Sequence, residues 1–268
     1  MDALWEILAG EAEVHLYFLS RLEKLARRNR PDGRVLLLRD RGGAVRGGVF
    51  LGMDRNLAVS RLPVETLSLF VRVVLAEARG IQVAVSPKRE IDALAKGLAP
   101  RVDPLLHRDQ VLYVVRRGMP LGPPAEDLRP AGEKDLSWLA EAGYALARED
   151  LGVPAWALSR PRLRMVAAGR IRKGKTFVIR RGGKPVFKVN LAVGVREGAL
   201  IEGVFTDPEH RGKGLASRGV AALCGELLRE YPLVALHVGA ENRPARRAYE
   251  KAGLRERERL GLLLYLPW

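Results

Sequence analysis

Apolar positions along this chain switch repeatedly between two spacings. Intervals of three and four mark one face of a helix, and alternation or a short apolar run marks a strand. In the C-terminal half, 128–130 reads as a short first strand, and helical spacing predicts helices over 133–149 and 154–170. Residues 176–181 and 186–195 read as a hairpin around Gly182-Gly183. A strand at 199–206, a helix at 215–230, a strand at 233–238, a helix at 244–252 and a last strand at 260–266 complete the order.

The N-terminal half repeats that grammar with one part missing. Val14, Phe18, Leu22 and Leu25 give a helical stripe, and strands at 35–39 and 48–52 flank a turn at Gly42-Gly43. Leu67, Phe70, Val71, Val74 and Leu75 predict another helix, followed by a strand at 81–85, a helix near 90–96 and a strand at 111–115. Between the halves, 116–127 is rich in Pro and Gly and has little periodicity, so it reads as a linker. The expected organisation is 1–117, a linker at 118–127, and 128–268.

The most informative segment lies between the strand ending at Thr206 and the helix from Leu215: Asp207-Pro208-Glu209-His210-Arg211-Gly212-Lys213-Gly214-Leu215-Ala216. Gly212 and Gly214 allow close backbone approach, the first helical turn leaves N–H groups unpaired, and Arg211 and Lys213 add positive charge. The segment should bind an anion. A P-loop needs Gly-Lys followed by Ser or Thr, whereas Lys213 is followed by Gly214. The dinucleotide fingerprint needs three spaced glycines and an acidic residue about 20 positions on, and the segment does not fit it.

What remains is Arg-x-x-Gly-x-Ala over 211–216, followed downstream by a strand, Asn242, Ala245, Ala248 and Tyr249 in order. Together these resemble the two signature segments of the GNAT superfamily of acetyl-CoA-dependent N-acetyltransferases. The resemblance implies a mixed α/β fold, with an α+β mixed sheet, in two GNAT-like lobes. The C-terminal lobe is expected intact. The N-terminal one is expected degenerate, because Ser60-Arg61-Leu62-Pro63 stands where its loop should be and no Asn–Tyr segment follows. This resembles bacterial tandem proteins in which a domain of unknown function precedes a GNAT domain.

By the same resemblance, Arg211, Gly212, Lys213, Gly214, Leu215 and Ala216 would hold the pyrophosphate of coenzyme A. Val204 and Thr206 would pair with pantetheine, and backbone N–H groups around Phe205 would polarise the thioester carbonyl. Asn242, with Arg246 after it, would help hold pantetheine and the helix start, and Tyr249 would protonate the leaving thiolate. Glu202, on the face of Val204 and Thr206 by strict alternation, is the candidate base. A water held by it, or a structural glutamate paired to Arg or Lys, are the alternatives. Lys188 sits mid-strand on the hairpin, where one reading has it face the acceptor cleft and an exposed lysine is the default expectation.

Composition narrows the remaining chemistry. At 268 residues and 47% hydrophobic content the chain is long enough for two cored domains. No run approaches the ~20 apolar residues of a membrane span, and Met1-Asp2-Ala3-Leu4-Trp5-Glu6 lacks a basic start, so a cytoplasmic protein is expected. Cys224, the single cysteine, falls on an apolar helix face and reads as a buried inert thiol. His15, His107, His210 and His237 are scattered without ligand spacing, so no metal is expected.

The net charge is +15, and residues 151–196 contain not one Asp or Glu. That stretch is either a solvated basic face or a field that draws an anionic partner. The expectation is an N-acetyltransferase moving acetyl from acetyl-CoA to a primary amine acceptor, which carries negative charge if the field is functional. A homodimer is compatible with it. The rival readings are a non-catalytic acyl-CoA sensor and a basic nucleic-acid-associated protein, the latter without any recognition motif to support it.

Overall fold

The computed structural model describes residues 1–27, 32–78 and 80–266. They divide into two compact units, Met1–Leu112 with Glu258–Trp268, and Tyr113–Arg257. In chain order the elements begin α1 (Asp2–Gly10), α2 (Ala12–Arg27), β1 (Gly33–Arg39), β2 (Val45–Gly52), β3 (Asn56–Val59), α3 (Leu67–Glu77), β4 (Val83–Pro87), α4 (Lys88–Leu98) and β5 (Leu106–Arg116). They continue β6 (Arg129–Pro130), α5 (Leu136–Glu149), α6 (Arg160–Arg172), β7 (Thr176–Arg181), β8 (Lys184–Val195), β9 (Gly198–Thr206), α7 (Leu215–Glu230), β10 (Leu233–Gly239), α8 (Arg243–Lys251) and β11 (Arg255–Leu264). The mixed α/β class expected from the sequence is the one observed.

In the first unit, β1, β2 and β3 pair antiparallel in sequence and β3 runs parallel to β4. The last strand of the chain, β11, pairs antiparallel with β4, Leu260 opposite Pro87. The final strand, expected with the C-terminal domain, thus ends in the first unit. Its Gly261 is required there, because a Cβ would lie 2.5 Å from Ile91 Cβ on α4. Phe70, Val74, Ala84, Ile91, Leu94 and Leu263 form the core of this unit. After β3 the chain turns through a short 3-10 segment into α3. There the Leu62 N–H donates to the Glu90 carboxylate at 2.9 Å, and Glu90 is only 1% exposed. A buried carboxylate therefore already takes a donor at the junction where the sequence has no glycine.

In the second unit, β6 pairs antiparallel with β7, β7 with β8 and β8 with β9, and β9 runs parallel to β10. The β7–β8 hairpin closes through Gly182 and Gly183 at φ 55° and 78°, the left-handed pair a two-residue turn needs. Helix α7 lies close on the sheet through Gly219, where a Cβ would come within 2.4 Å of the Phe187 ring. Its buried face includes Leu215, Val220, Leu223, Cys224 and Leu227. Burial pushes the Cys224 thiol up to about 12, so it is the inert thiol expected. Residues 118–127 contain neither helix nor strand. They are bound within this unit, the Gly122 N–H donating to the Ala252 carbonyl and the Ala125 N–H to that of Arg218. No helix among the described residues is long and apolar enough to cross a membrane.

Candidate active site

The centre of the site is a place where two parallel strands part. The pairs between β9 and β10 are Ala199 with Val234 and Leu200 with Ala235. Beyond them β9 runs on to Thr206 and β10 to Gly239 without further pairs. On its other edge β9 slips register against β8, Asn190 facing Glu202 but Lys188 facing Phe205. Gly203 and Val204 therefore stand together opposite Val189, and Gly203 takes φ 60°. This is a β-bulge, which bends a strand and leaves backbone groups unpaired in the ladder. It also breaks the strict alternation expected through Glu202, Val204 and Thr206. Phe205 is buried at 7% exposure, its ring edge-on to Trp138 at 6.1 Å.

The segment beyond β9 brings the predicted anion-binding residues to the start of α7. Gly212 and Gly214 adopt φ 76° and 75°, backbone that favours glycine, and Gly214 is the N-cap of α7 with no side chain capping the helix. A Cβ at Gly212 would meet nothing within 4 Å, and one at Gly214 only Ser217 Oγ at 3.9 Å, so the space over the loop is open. Leu215 is buried below it. The two cations are tied back to protein. Arg211 bonds the Thr206 carbonyl at 3.1 Å and Glu149 at 2.7 Å, and Lys213 Nζ donates to the Glu209 carbonyl at 2.9 Å. The backbone amides are the part of this loop left open.

After β10, Asn242 caps α8, its side-chain oxygen accepting from the Ala245 N–H at 3.2 Å. Arg246 is held by the Ala240 carbonyl at 3.2 Å, Glu256 at 2.8 Å and the Tyr113 hydroxyl at 3.3 Å. In this structure it braces α8. Tyr249, one turn on, is 6% exposed, and burial raises its hydroxyl pKa above the ordinary tyrosine value, with the charge of Asp150 adding to the effect. It therefore keeps its proton at neutral pH, the state a proton donor needs.

Glu202 lies immediately before the bulge with its side chain exposed, ion-paired to Arg170 of α6. Lys188 is not the exposed lysine expected by default. It is 4% exposed, its Nζ donating to the Gly203 carbonyl at 2.8 Å. Burial, then the neighbouring Arg170, lower its pKa to about 8 against the opposing pull of Glu202. Asn190 and Thr176 are buried beside it, the Thr176 hydroxyl donating to Asn190 Oδ1 at 2.9 Å. The signal available in advance was Gly203 itself, an isolated glycine inside a strand pattern. His237 on β10 has its Nε2 buried without a hydrogen-bond partner among the described residues, and desolvation lowers its pKa to about 4. Among the described residues no group of three or more His, Cys, Asp or Glu is placed to hold a metal.

Residues 140–254 match the acetyltransferase (GNAT) family. No curated protein matches the chain. Among solved structures, a GNAT-family acetyltransferase from Colwellia psychrerythraea is 16% identical with a TM-score of 0.55, covering 97% of this chain and 96% of that one. A GCN5-related N-acetyltransferase from Sphaerobacter thermophilus is 17% identical with a TM-score of 0.55, covering 90% and 83%. A tandem GNAT protein from the clavulanic acid biosynthesis pathway is 16% identical with a TM-score of 0.51, covering 98% and 94%. At such identities these likenesses speak to the fold, whereas the family match speaks to the domain that carries the loop, the bulge and Tyr249. The chain therefore carries a GNAT acetyltransferase domain at residues 140–254, and acyl transfer is its class of chemistry.

Proposed function

We propose that this chain transfers the acetyl group of acetyl-CoA directly to a primary amine. The observation that carries the reading is the junction of β9 with α7. Two glycines at positive φ lead into an uncapped helix start, beside the point where β9 and β10 stop pairing. Backbone amides of residues 212–216 would hold the pyrophosphate, where the helix start favours negative charge. The gap between β9 and β10 would take pantetheine along Val204–Thr206, as a strand adds to an exposed edge.

In the reaction, the amine nitrogen attacks the thioester carbon, a C–N bond forms, and the carbonyl oxygen gains charge against backbone N–H groups near the bulge. The C–S bond then breaks, the thiolate takes the proton of Tyr249, and Tyr249 regains a proton from solvent before the next turnover. Glu202, directly or through a water, takes the proton that the attacking nitrogen loses and passes it to solvent. Its pairing with Arg170 holds the carboxylate in place between turnovers. The first unit, whose corresponding junction is closed by the Leu62–Glu90 hydrogen bond, is not proposed to bind coenzyme.

The test is calorimetric titration of the full chain with acetyl-CoA, followed by acetyl-CoA-dependent thiol release over a panel of small amines and peptides. Binding with amine-dependent release supports the proposal. Binding without release from any acceptor marks an acyl-CoA sensor, and no binding overturns the reading.

A further inference from the structure

Lys188 is a buried cation, its Nζ donating to the carbonyl oxygen of Gly203 at 2.8 Å. That oxygen belongs to the peptide unit whose N–H end is Val204. At the bulge neither Gly203 nor Val204 is matched to a residue of β8, and the pairs with β10 end at Leu200. The fold thus places an ammonium on one end of a peptide dipole whose other end lies at the bulge, where the ladder is locally disrupted. We infer that Lys188 is a positioning residue for acyl transfer, polarising the Gly203–Val204 peptide so that the Val204 N–H binds the thioester carbonyl oxygen more strongly. The inference rests on the acyl-transfer reading of the site.

Hydrogen bonds in series strengthen one another when a charged donor stands at the end of the chain, and the effect grows as water is excluded. The local packing serves that arrangement. Thr176 fixes the Asn190 carboxamide, and a Cβ on residue 203 would come within 2.5 Å of Asn190 Nδ2 and 3.2 Å of Lys188 Nζ. Glycine at the bulge is therefore what lets the lysine reach the carbonyl. The charged groups acting on Lys188 are Arg170 from α6, which disfavours its charge, and Glu202 from β9, which favours it. Its register partner on β7 is Val178, which is neutral. With its pKa lowered to about 8, the ammonium is present at neutral pH and fades above it.

The experiment is infrared difference spectroscopy of acetyl-CoA labelled with carbon-13 at the acetyl carbonyl, bound to the full chain and to its Lys188→Met and Lys188→Arg variants. Calorimetry on the same samples reports acetyl-CoA affinity. The wild type is expected to lower the carbonyl stretch relative to water, and to lose that shift as pH rises through about 8. Lys188→Met should bind acetyl-CoA comparably, show little shift at any pH, and turn over about tenfold more slowly at a similar KM for acetyl-CoA. Lys188→Arg should retain part of the shift and lose its pH dependence. Equal carbonyl frequencies in wild type and Lys188→Met overturn the inference while leaving acyl transfer standing. If Lys188→Met does not fold, a wild-type shift that is constant across pH 8 overturns it equally. Failure of the wild type to bind acetyl-CoA overturns the acyl-transfer reading and this inference with it.

Discussion

Tyr249 meets Tyr113 edge to face, ring centroids 6.1 Å apart at 65°, and the Tyr113 hydroxyl is held by Glu250 at 2.6 Å. The ring of the proposed acid is thus clamped by a second ring that is itself anchored. This fixes its position independently of any bond its hydroxyl makes. Tyr249→Phe keeps the ring contact and removes only the hydroxyl, so turnover should fall roughly 10²-fold with acetyl-CoA affinity little changed. Steady-state kinetics beside calorimetry will show it. Unchanged turnover where chemistry limits the rate would make Tyr249 a packing residue.

Gly214 holds φ 75° with open space over it. A glutamate there costs on the order of 1–2 kcal/mol in backbone strain, which a folded domain tolerates. It also puts a carboxylate where the helix start would meet phosphate. Gly214→Glu should therefore remove detectable acetyl-CoA binding while the circular dichroism spectrum stays that of the wild type. Wild-type affinity in the variant would show that the coenzyme lies elsewhere.

Glu202 and Arg170 form an exposed pair, so neither is needed to satisfy a buried partner. Glu202→Gln should lower turnover by roughly 10²-fold at saturating acceptor, with acetyl-CoA affinity unchanged, because the proton acceptor is lost. A variant that turns over normally would leave Glu202 as the structural partner of Arg170.

The parts of the site that were legible in the sequence are those where backbone chemistry alone decides. Gly212 and Gly214 had to be glycine for their φ, Gly182-Gly183 for the hairpin, and the apolar spacing of α7 placed both its ends. What escaped depended on neighbours distant in sequence. Lys188 looked exposed because strands usually alternate, but Val186 to Asn190 are buried at five successive positions, and such a strand has no polar face to offer. The bulge defeated the alternation through Glu202 for a related reason: one extra residue on β9 shifts every later side chain. Helix α1 escaped because it is short and apolar, and β3 because it is only four residues long. That Arg211 and Arg246 are already tied to Glu149 and Glu256 is pairing no local pattern reveals.

The acid-free stretch 151–196 is partly neutralised by residues outside it. Arg160 pairs with Glu141 and lies over the Tyr144 ring at 4.2 Å, Arg180 pairs with Asp135 and Arg181 with Asp127. Arg164 donates to the neutral Ser137 hydroxyl at 3.1 Å. If this face steers an anionic acceptor, Arg164, Arg172 and Lys175 carry the effect and Arg160 little of it. The second-order rate constant for the acceptor should then fall as salt shortens the Debye length from about 10 Å at 0.1 M to about 3 Å at 1 M. Arg164→Glu with Lys175→Glu should lower it further, and a rate indifferent to both changes would leave the stretch a solvated face.

Lys188 also predicts an alkaline dependence of stability. In the unfolded chain its pKa returns to the ordinary 10.5, while in the fold it is lowered to about 8. Below pH 8 both states hold the proton, and the fold bears the full cost of burying the charge. Between pH 8 and 10.5 the unfolded state holds a proton that the native state lacks, so the native state gains stability from this group as pH rises. The gain is on the order of 3 kcal/mol across the window. Lys188→Met removes that dependence but leaves the Gly203 carbonyl without its donor, at a cost of about 1–3 kcal/mol that does not vary with pH. Near pH 7 the variant should match or exceed the wild type in urea unfolding, and by pH 10 it should be clearly the less stable of the two. A stability difference that stays constant from pH 7 to pH 10 would mean that Lys188 is solvated in the fold, and that its hold on Gly203 is not the buried contact described above.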